Sequence, residues 1–206
     1  MPKIVDHELR RQELLAATWR VIARTGIVGV TTREIAREAG VSTGVLAHYF
    51  ADKEELLAAA LRLSHQQVYA RIRERTQGLL GLDAIRALML EALPLDEERL
   101  LEAQIEINFL SLALGNSGLR DLQHEEFERF WDLLHYRVSE AQKLGQLWPD
   151  LDADDVTHQL MVLVEGLSLE AVLYPSRATP ERQTKTLESF LARASAPLPT
   201  APAVSL

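Results

Sequence analysis

The chain has 206 residues, 47% of them hydrophobic and 25% charged, with no cysteine. That length predicts one or two domains able to bury a sizeable core, and the missing thiols exclude disulfides, thiolate nucleophiles and cysteine metal sites. The net charge of −8 argues against a polyanionic partner until it is divided: residues 1–53 hold eight Lys and Arg against six Asp and Glu, a balance of +2, which leaves −10 for the remainder. Charge asymmetry of this kind points toward nucleic acid, but an excess of two is small and the weight falls on the motif in that segment. Met1 to Arg11 is mostly polar, unlike a signal peptide. No stretch reaches the ~20 consecutive apolar residues of a membrane span, so no membrane partner is expected and the cytoplasm is the expected compartment.

A first helix is predicted from about Asp6 to Thr25, with Leu9, Leu14, Leu15, Val21 and Ile22 among its apolar positions and Gly26 ending it. Next comes Thr31-Thr-Arg-Glu-Ile-Ala-Arg-Glu-Ala-Gly-Val-Ser-Thr-Gly-Val-Leu-Ala-His-Tyr-Phe50, which reads as two short helices around a tight turn. Thr31 or Thr32 can cap the first, with Glu34 three residues after Thr31 as a capping box requires. Ile35, Ala36 and Ala39 give it an apolar stripe, and Gly40 stops it. Val41 is expected to be a buried peg between the helices, and Ser42 can cap the second. Leu46 and Phe50, four apart, face the core, which leaves Thr43, Gly44, Val45, Ala47, His48 and Tyr49 outward, as in a helix laid in a major groove. Thr32, Ser42, Arg33, Lys53 and Tyr49 suit phosphate. Thr43, Val45 and His48 offer a hydroxyl, a methyl surface and a ring nitrogen to base edges, and Gly44 permits close approach of the backbone.

Residues 8–57 resemble the N-terminal domain of the TetR family of bacterial repressors. The marks are an arginine-bearing first helix, Gly26-Ile-Val-Gly29, Thr31-Thr-Arg-Glu-Ile-Ala, Ala39-Gly-Val-Ser, His48-Tyr-Phe and Lys53-Glu-Glu-Leu-Leu57. The run Ser42–Phe50 is most similar to the BetI-like, choline-responsive branch, and it departs from the commoner family pattern at Ala47, where a tyrosine is frequent. The resemblance implies that the outward positions lie at the DNA face.

The rest of the chain also reads as helical. Asp52 caps a long helix reaching about Thr76, and Gly78 and Gly81 break it. Further helices fit Leu82–Leu93, Asp96–Leu114, Leu119–Leu144, Asp152–Leu173 and Pro180–Ala194, punctuated by Pro94, Gly115-Asn-Ser-Gly118, Gly145 with Pro149, and Pro175. Thr179 can cap the last one, with Pro180 at its first position. No run alternates apolar and polar between turn residues, so the expected fold is all-α. The expected organisation is a three-helix DNA-binding domain over 1–53, a connecting helix over 54–77, a ligand-binding and dimerisation domain over 78–195, and a disordered proline-bearing tail over 196–206.

The helix from Asp152 becomes almost wholly apolar (Leu160-Met-Val-Leu-Val164, then Gly166-Leu-Ser-Leu169), and such a helix needs cover on all sides. A second copy of the chain is a natural source, with Leu160, Leu163, Gly166, Leu167, Leu187 and Leu191 as candidate interface residues. Glu165-Gly-Leu167 resembles an Asp-Gly-Leu motif of the same TetR branch, where this helix and the last pair across a two-fold axis. The alternative is burial inside a monomeric bundle. Gln104, Asn108, Phe109, Trp131, Glu165 and Tyr174 are candidates for a small-molecule pocket, along with Tyr136 and Trp148. Buried carboxylates need partners. Glu102, Glu106 or Glu165 could therefore face a bound cation under aromatic cover, or instead face solvent or pair with arginines such as Arg99 and Arg137.

Enzyme motifs are missing: there is no His-Glu-x-x-His, glycine-rich phosphate loop or nucleophile elbow. No catalytic residue, cofactor or metal site is expected. His7, His65, His124, His135 and His158 are scattered, and His124 with His135 lacks a third ligand. The expected function is therefore a ligand-responsive transcriptional regulator, a repressor released from a palindromic double-stranded operator by a small molecule. The alternative is an α-helical adaptor that binds another protein through its acidic part and lacks specific DNA binding.

Overall fold

The computed structural model describes residues 4–196. Among them lie nine helices: α1 (Ile4–Gly29), α2 (Thr32–Glu38), α3 (Thr43–Tyr49), α4 (Lys53–Arg75), α5 (Gly81–Ala92), α6 (Glu97–Ala113), α7 (Ser117–Lys143), α8 (Ala153–Leu173) and α9 (Pro180–Ala194). The fold is all-α, and the extended pairing among the described residues is one isolated bridge between Leu147 and Ser195. Gly26 interrupts α1, as its residue type predicts, at φ 66° and ψ 163°, but three further residues continue as helix beyond it. The tail expectation falls almost wholly on residues 197–206, outside the described ones. Its first residue, Ala196, is held in place, donating its N–H to Gln146 O at 2.9 Å.

The helices begin where local chemistry satisfies their free N–H groups. Asp52 Oδ1 accepts the Glu55 N–H at 2.8 Å ahead of α4, Asp152 accepts those of Asp154 and Asp155 at α8, and Thr179 accepts that of Arg182 at α9. The start of α5 is supplied from outside: Gly81 N–H donates to Glu140 Oε2 and Leu82 N–H to Gln146 Oε1, both at 2.9 Å. That hydrogen bond from Gly81 is the main reason the Glu140 carboxyl lies below the usual range, with Arg137 assisting.

Two compact units form, Met1–Tyr69 with Leu100–Glu126, and Ala70–Arg99 with Phe127–Leu206. Their boundaries fall inside α4, α6 and α7, away from the expected breaks at 53 and 78. The reason is a shared core. Leu14, Ile22, Ile27, Ile35, Leu46 and Phe50 of the first three helices form one buried cluster with Leu56, Leu57 and Leu61 of α4, Ile105 and Phe109 of α6, and Leu119 and Leu122 of α7. Each such Leu or Ile contributes about 1.5–3 kcal/mol by leaving water, so α1–α3 do not form a core of their own. Val41, expected as a buried peg, is half-buried at its edge, and Leu9 is exposed.

In the second unit α5 buries Ala84, Ile85, Leu88 and Met89 and packs on α9, whose Leu187 and Leu191 point inward. Arg86 Nε donates to Glu188 Oε1 at 2.8 Å between the same helices, and this bond raises the Arg86 pKa. The α8 helix is long and apolar enough to cross a membrane, a test that a core helix also passes. One side of it is buried through Val156, Leu160, Met161 and Val164, while Val162, Leu169 and Leu173 stand exposed on another.

Candidate nucleic-acid interface

Helix α2 starts at Thr31, whose hydroxyl oxygen accepts the Glu34 N–H at 3.2 Å and whose hydroxyl donates to Glu34 Oε2 at 3.0 Å. Thr31 is thus the cap and Thr32 the first helical residue. The helix ends in a Schellman arrangement: Gly40 has φ 67°, its N–H donates to Arg37 O, and the Val41 N–H donates to Ala36 O at 2.9 Å. Without a left-handed residue at Gly40 the chain could not turn this sharply into Ser42. Ser42 Oγ accepts the Val45 N–H at 3.3 Å and starts α3.

This turn settles which side of α3 faces out. Leu46 and Phe50 are buried, whereas Thr43, Gly44, Val45, Ala47 and His48 are exposed. Tyr49 is half-buried, its ring 4.5 Å from that of His7 on α1, and His48 meets the Tyr49 ring edge-on at 5.6 Å. Arg11 lies over the Phe50 ring at 5.2 Å. The first turns of α1 therefore hold the end of α3, an arrangement that His7 did not reveal in sequence because its partners, His48 and Tyr49, lie far along the chain.

Arg33 and Arg37 are exposed on α2, and Lys53 is half-buried. A groove of about 590 Å³ is lined by Arg33, Glu34, Ala36, Arg37, Val41 and Thr43. Arg37 was overlooked in sequence, although its spacing of four from Arg33 places both on one helix face. Arg20 and Arg24 are not available in the same way. Arg20 Nε donates to Glu38 Oε1 at 2.8 Å and Arg24 Nη1 to Glu38 Oε2 at 3.1 Å, bracing α1 against α2. Arg20 first, then Arg24, holds the Glu38 carboxyl below its usual range.

The pocket candidates fall in different units and are largely accounted for there. Phe109 is wholly buried in the hydrophobic cluster of the first unit. Asn108 is engaged with backbone at both ends of its amide, one partner being Gln104 O. Glu106 pairs with His65, at 2.8 Å from Nε2, rather than with an arginine, and Glu126 lies 3.6 Å from His65 Nδ1. Arg137 pairs with Glu140, and Arg99 with Asp96. Glu102 is buried. In the second unit Trp131 stacks on Phe127 and approaches His158, while Glu165 and Tyr174 are exposed. A groove there of about 720 Å³ is lined by Arg73, Leu80, Tyr136, Arg137 and Glu140, among others, and by none of the six main candidates.

The interface candidates divide. Leu160, Leu187 and Leu191 are buried in the protomer's own core, so they are corrected: an amphipathic pattern marks apolar positions without saying which apolar side the chain itself covers. Gly166 is exposed and faces open space, and Leu163 and Leu167 are half-buried.

An all-helical chain whose second short helix presents an open face flanked by Arg33, Arg37 and Lys53 is a helix-turn-helix regulator of transcription. Residues 14–60 match the model of bacterial regulatory proteins of the tetR family, and residues 81–196 match that of the C-terminal part of BetI-type transcriptional repressors. The chain belongs to the TetR family of transcriptional regulators. It is 37% identical over 184 residues to the HTH-type transcriptional regulator PksA of Bacillus subtilis, covering 88% of each chain. It is 29% identical to the regulator BetI of Burkholderia thailandensis, over 84% of this chain and 87% of that one. Among solved structures, a transcriptional regulator from Rhodococcus sp. Rha1 superposes with a TM-score of 0.81 at 29% identity, covering 92% and 99% of the two chains. A regulator from Saccharomonospora viridis in complex with choline has the same fold, with a TM-score of 0.85 at 23% identity over 91% and 98%.

Proposed function

We propose that the protein is a homodimeric cytoplasmic repressor without catalytic activity, which holds a palindromic operator through α3 of each protomer and releases it when a small molecule binds. The observation that carries this reading is the outward face of α3, exposed at Thr43, Gly44, Val45, Ala47 and His48 and flanked by Arg33, Arg37 and Lys53. Base edges are read by Thr43, Val45 and His48, and phosphates by Thr32, Arg33, Ser42, Tyr49 and Lys53. One such helix reads a short half-site, and two related by a two-fold axis read half-sites about 34–36 Å apart or multiples of that distance. The exposed Val162, Gly166, Leu169 and Leu173 of α8 favour a second copy as the partner. The effector must bind one conformation better than the other, since equal affinity shifts nothing. Choline is the first compound to try, because a protein of the same fold holds it.

A gel shift with the DNA upstream of the chain's own gene tests the reading. A specific, competable complex that weakens with effector is expected. A protein that retards specific and scrambled duplexes alike behaves as the adaptor alternative would.

A further inference from the structure

Helix α1 does not run unbroken into the turn before α2. Gly26 leaves helical geometry and Ile27–Gly29 resumes it. An N–H just past such a break must find a partner off the helix ladder or go unpaired. The Ile27 N–H finds one 81 residues away, donating to Asn108 Oδ1 of α6 at 3.0 Å. The other end of that amide is fixed too, because Asn108 Nδ2 donates to Gln104 O at 2.7 Å. Asn108 lies between Ile105 and Phe109, both wholly buried, and Ile27 and Val30 are buried in the same cluster. One residue after Val30 stands Thr31, the cap of α2.

We propose that Asn108 is a positioning residue for operator binding: through this one amide α6 holds the entry to the helix-turn-helix, and a displacement of α6 is passed to α2 and α3. Apolar contacts such as Phe109 against its neighbours tolerate a small slide. A hydrogen bond weakens steeply with distance and angle, so the amide is the part of this contact that senses the register of α6 against α1. Asparagine suits the task because it offers an acceptor and a donor in one rigid plane. The inference rests on the reading of α3 as the DNA-contacting helix.

The test uses the full chain and duplex DNA selected by the wild type from a random pool. Three quantities are read for wild type, N108A, N108L and N108D: amide exchange of Ile27, affinity for the selected and a scrambled duplex, and the thermal midpoint. N108A and N108L should lose Ile27 protection and weaken the selected duplex about two- to tenfold, the worth of one net hydrogen bond. Their affinity for the scrambled duplex should stay within about twofold of wild type, since phosphate contacts carry non-specific binding. N108D keeps an acceptor, and its operator affinity should follow whatever Ile27 protection it retains. Should N108L fail to fold, N108S, too short to reach Ile27, takes its place. A variant that loses Ile27 protection yet binds the selected duplex as tightly as wild type overturns the proposal, as does equal weakening on both duplexes. A wild type that selects no sequence overturns the operator reading itself, and this inference with it.

Discussion

Arg33 and Arg37 differ from Arg20 and Arg24 in what their guanidinium groups already hold, and that difference sorts their roles. The first two are exposed and without an ion pair among the described residues, whereas the second two grip Glu38. Substituting Arg33, Arg37 or Lys53 by alanine is expected to weaken selected and scrambled duplexes alike and to lower the salt slope by about one unit per lost phosphate contact. Affinity titrated against salt concentration checks this, and R20A should leave the slope unchanged. His48→Ala and Thr43→Ala should instead relax preference at particular base pairs, by about 1–3 kcal/mol for a good contact. Competition with single-base operator variants reads the change, and a mutant with the wild-type profile would move base reading to Val45 or Ala47. The Glu38 brace has its own signature. Because its pKa is depressed in the fold, chiefly by Arg20, its stabilisation is complete above the unfolded pKa and is lost as pH falls through the lowered folded value. The thermal midpoint of E38Q should therefore lie below that of wild type at neutral pH, begin to approach it as pH falls past the ordinary carboxylate value of about 4.3, and meet it only below the lowered Glu38 value.

At the scale of elements, the start of α5 depends on groups from elsewhere in the chain. Gly81 has φ +53°, and a Cβ there would meet Gln146 Oε1, the group that accepts the Leu82 N–H. Gly81→Ala should cost about 1–3 kcal/mol through backbone strain and a displaced cap, measured by denaturant unfolding. Gly81 reads in sequence only as a breaker, because Glu140 and Gln146 lie some sixty positions away. The caps at Thr31, Ser42, Asp52 and Thr179 were legible for the opposite reason, each resting on residues within one turn. The outward side of α3 was legible as well, since Leu46 and Phe50 fix it by helical spacing. What spacing leaves open is the partner of a polar residue on a mostly apolar helix. Asn108 and Glu106 read equally well as pocket lining, and only the packing of α6 beside α1 and α4 brings them to Ile27 and His65. The same gap hid the division of α8, where Leu160 and Val162 are equally apolar but only Leu160 is covered by its own chain.

For the molecule as a whole, the open side of α8 predicts the assembly. Light scattering behind size exclusion should give a dimer mass, and Gly166→Leu should shift it toward monomer. Since a Cβ at Gly166 meets nothing within 4 Å in the protomer and the position is exposed, the variant should fold normally by circular dichroism while binding operator about tenfold more weakly or worse. A wild-type monomer that still binds its operator tightly would refute the two-fold model. The shared core of the first unit has a consequence for engineering. Regulators of this architecture invite exchange of DNA-reading heads, with a graft cut after the third helix or along the fourth. In this protein such a cut would strip Leu14, Ile22, Ile27 and Leu61 of Ile105, Phe109, Leu119 and Leu122. A transplanted head should stay soluble and faithful to its operator only if the segment 100–126 travels with it.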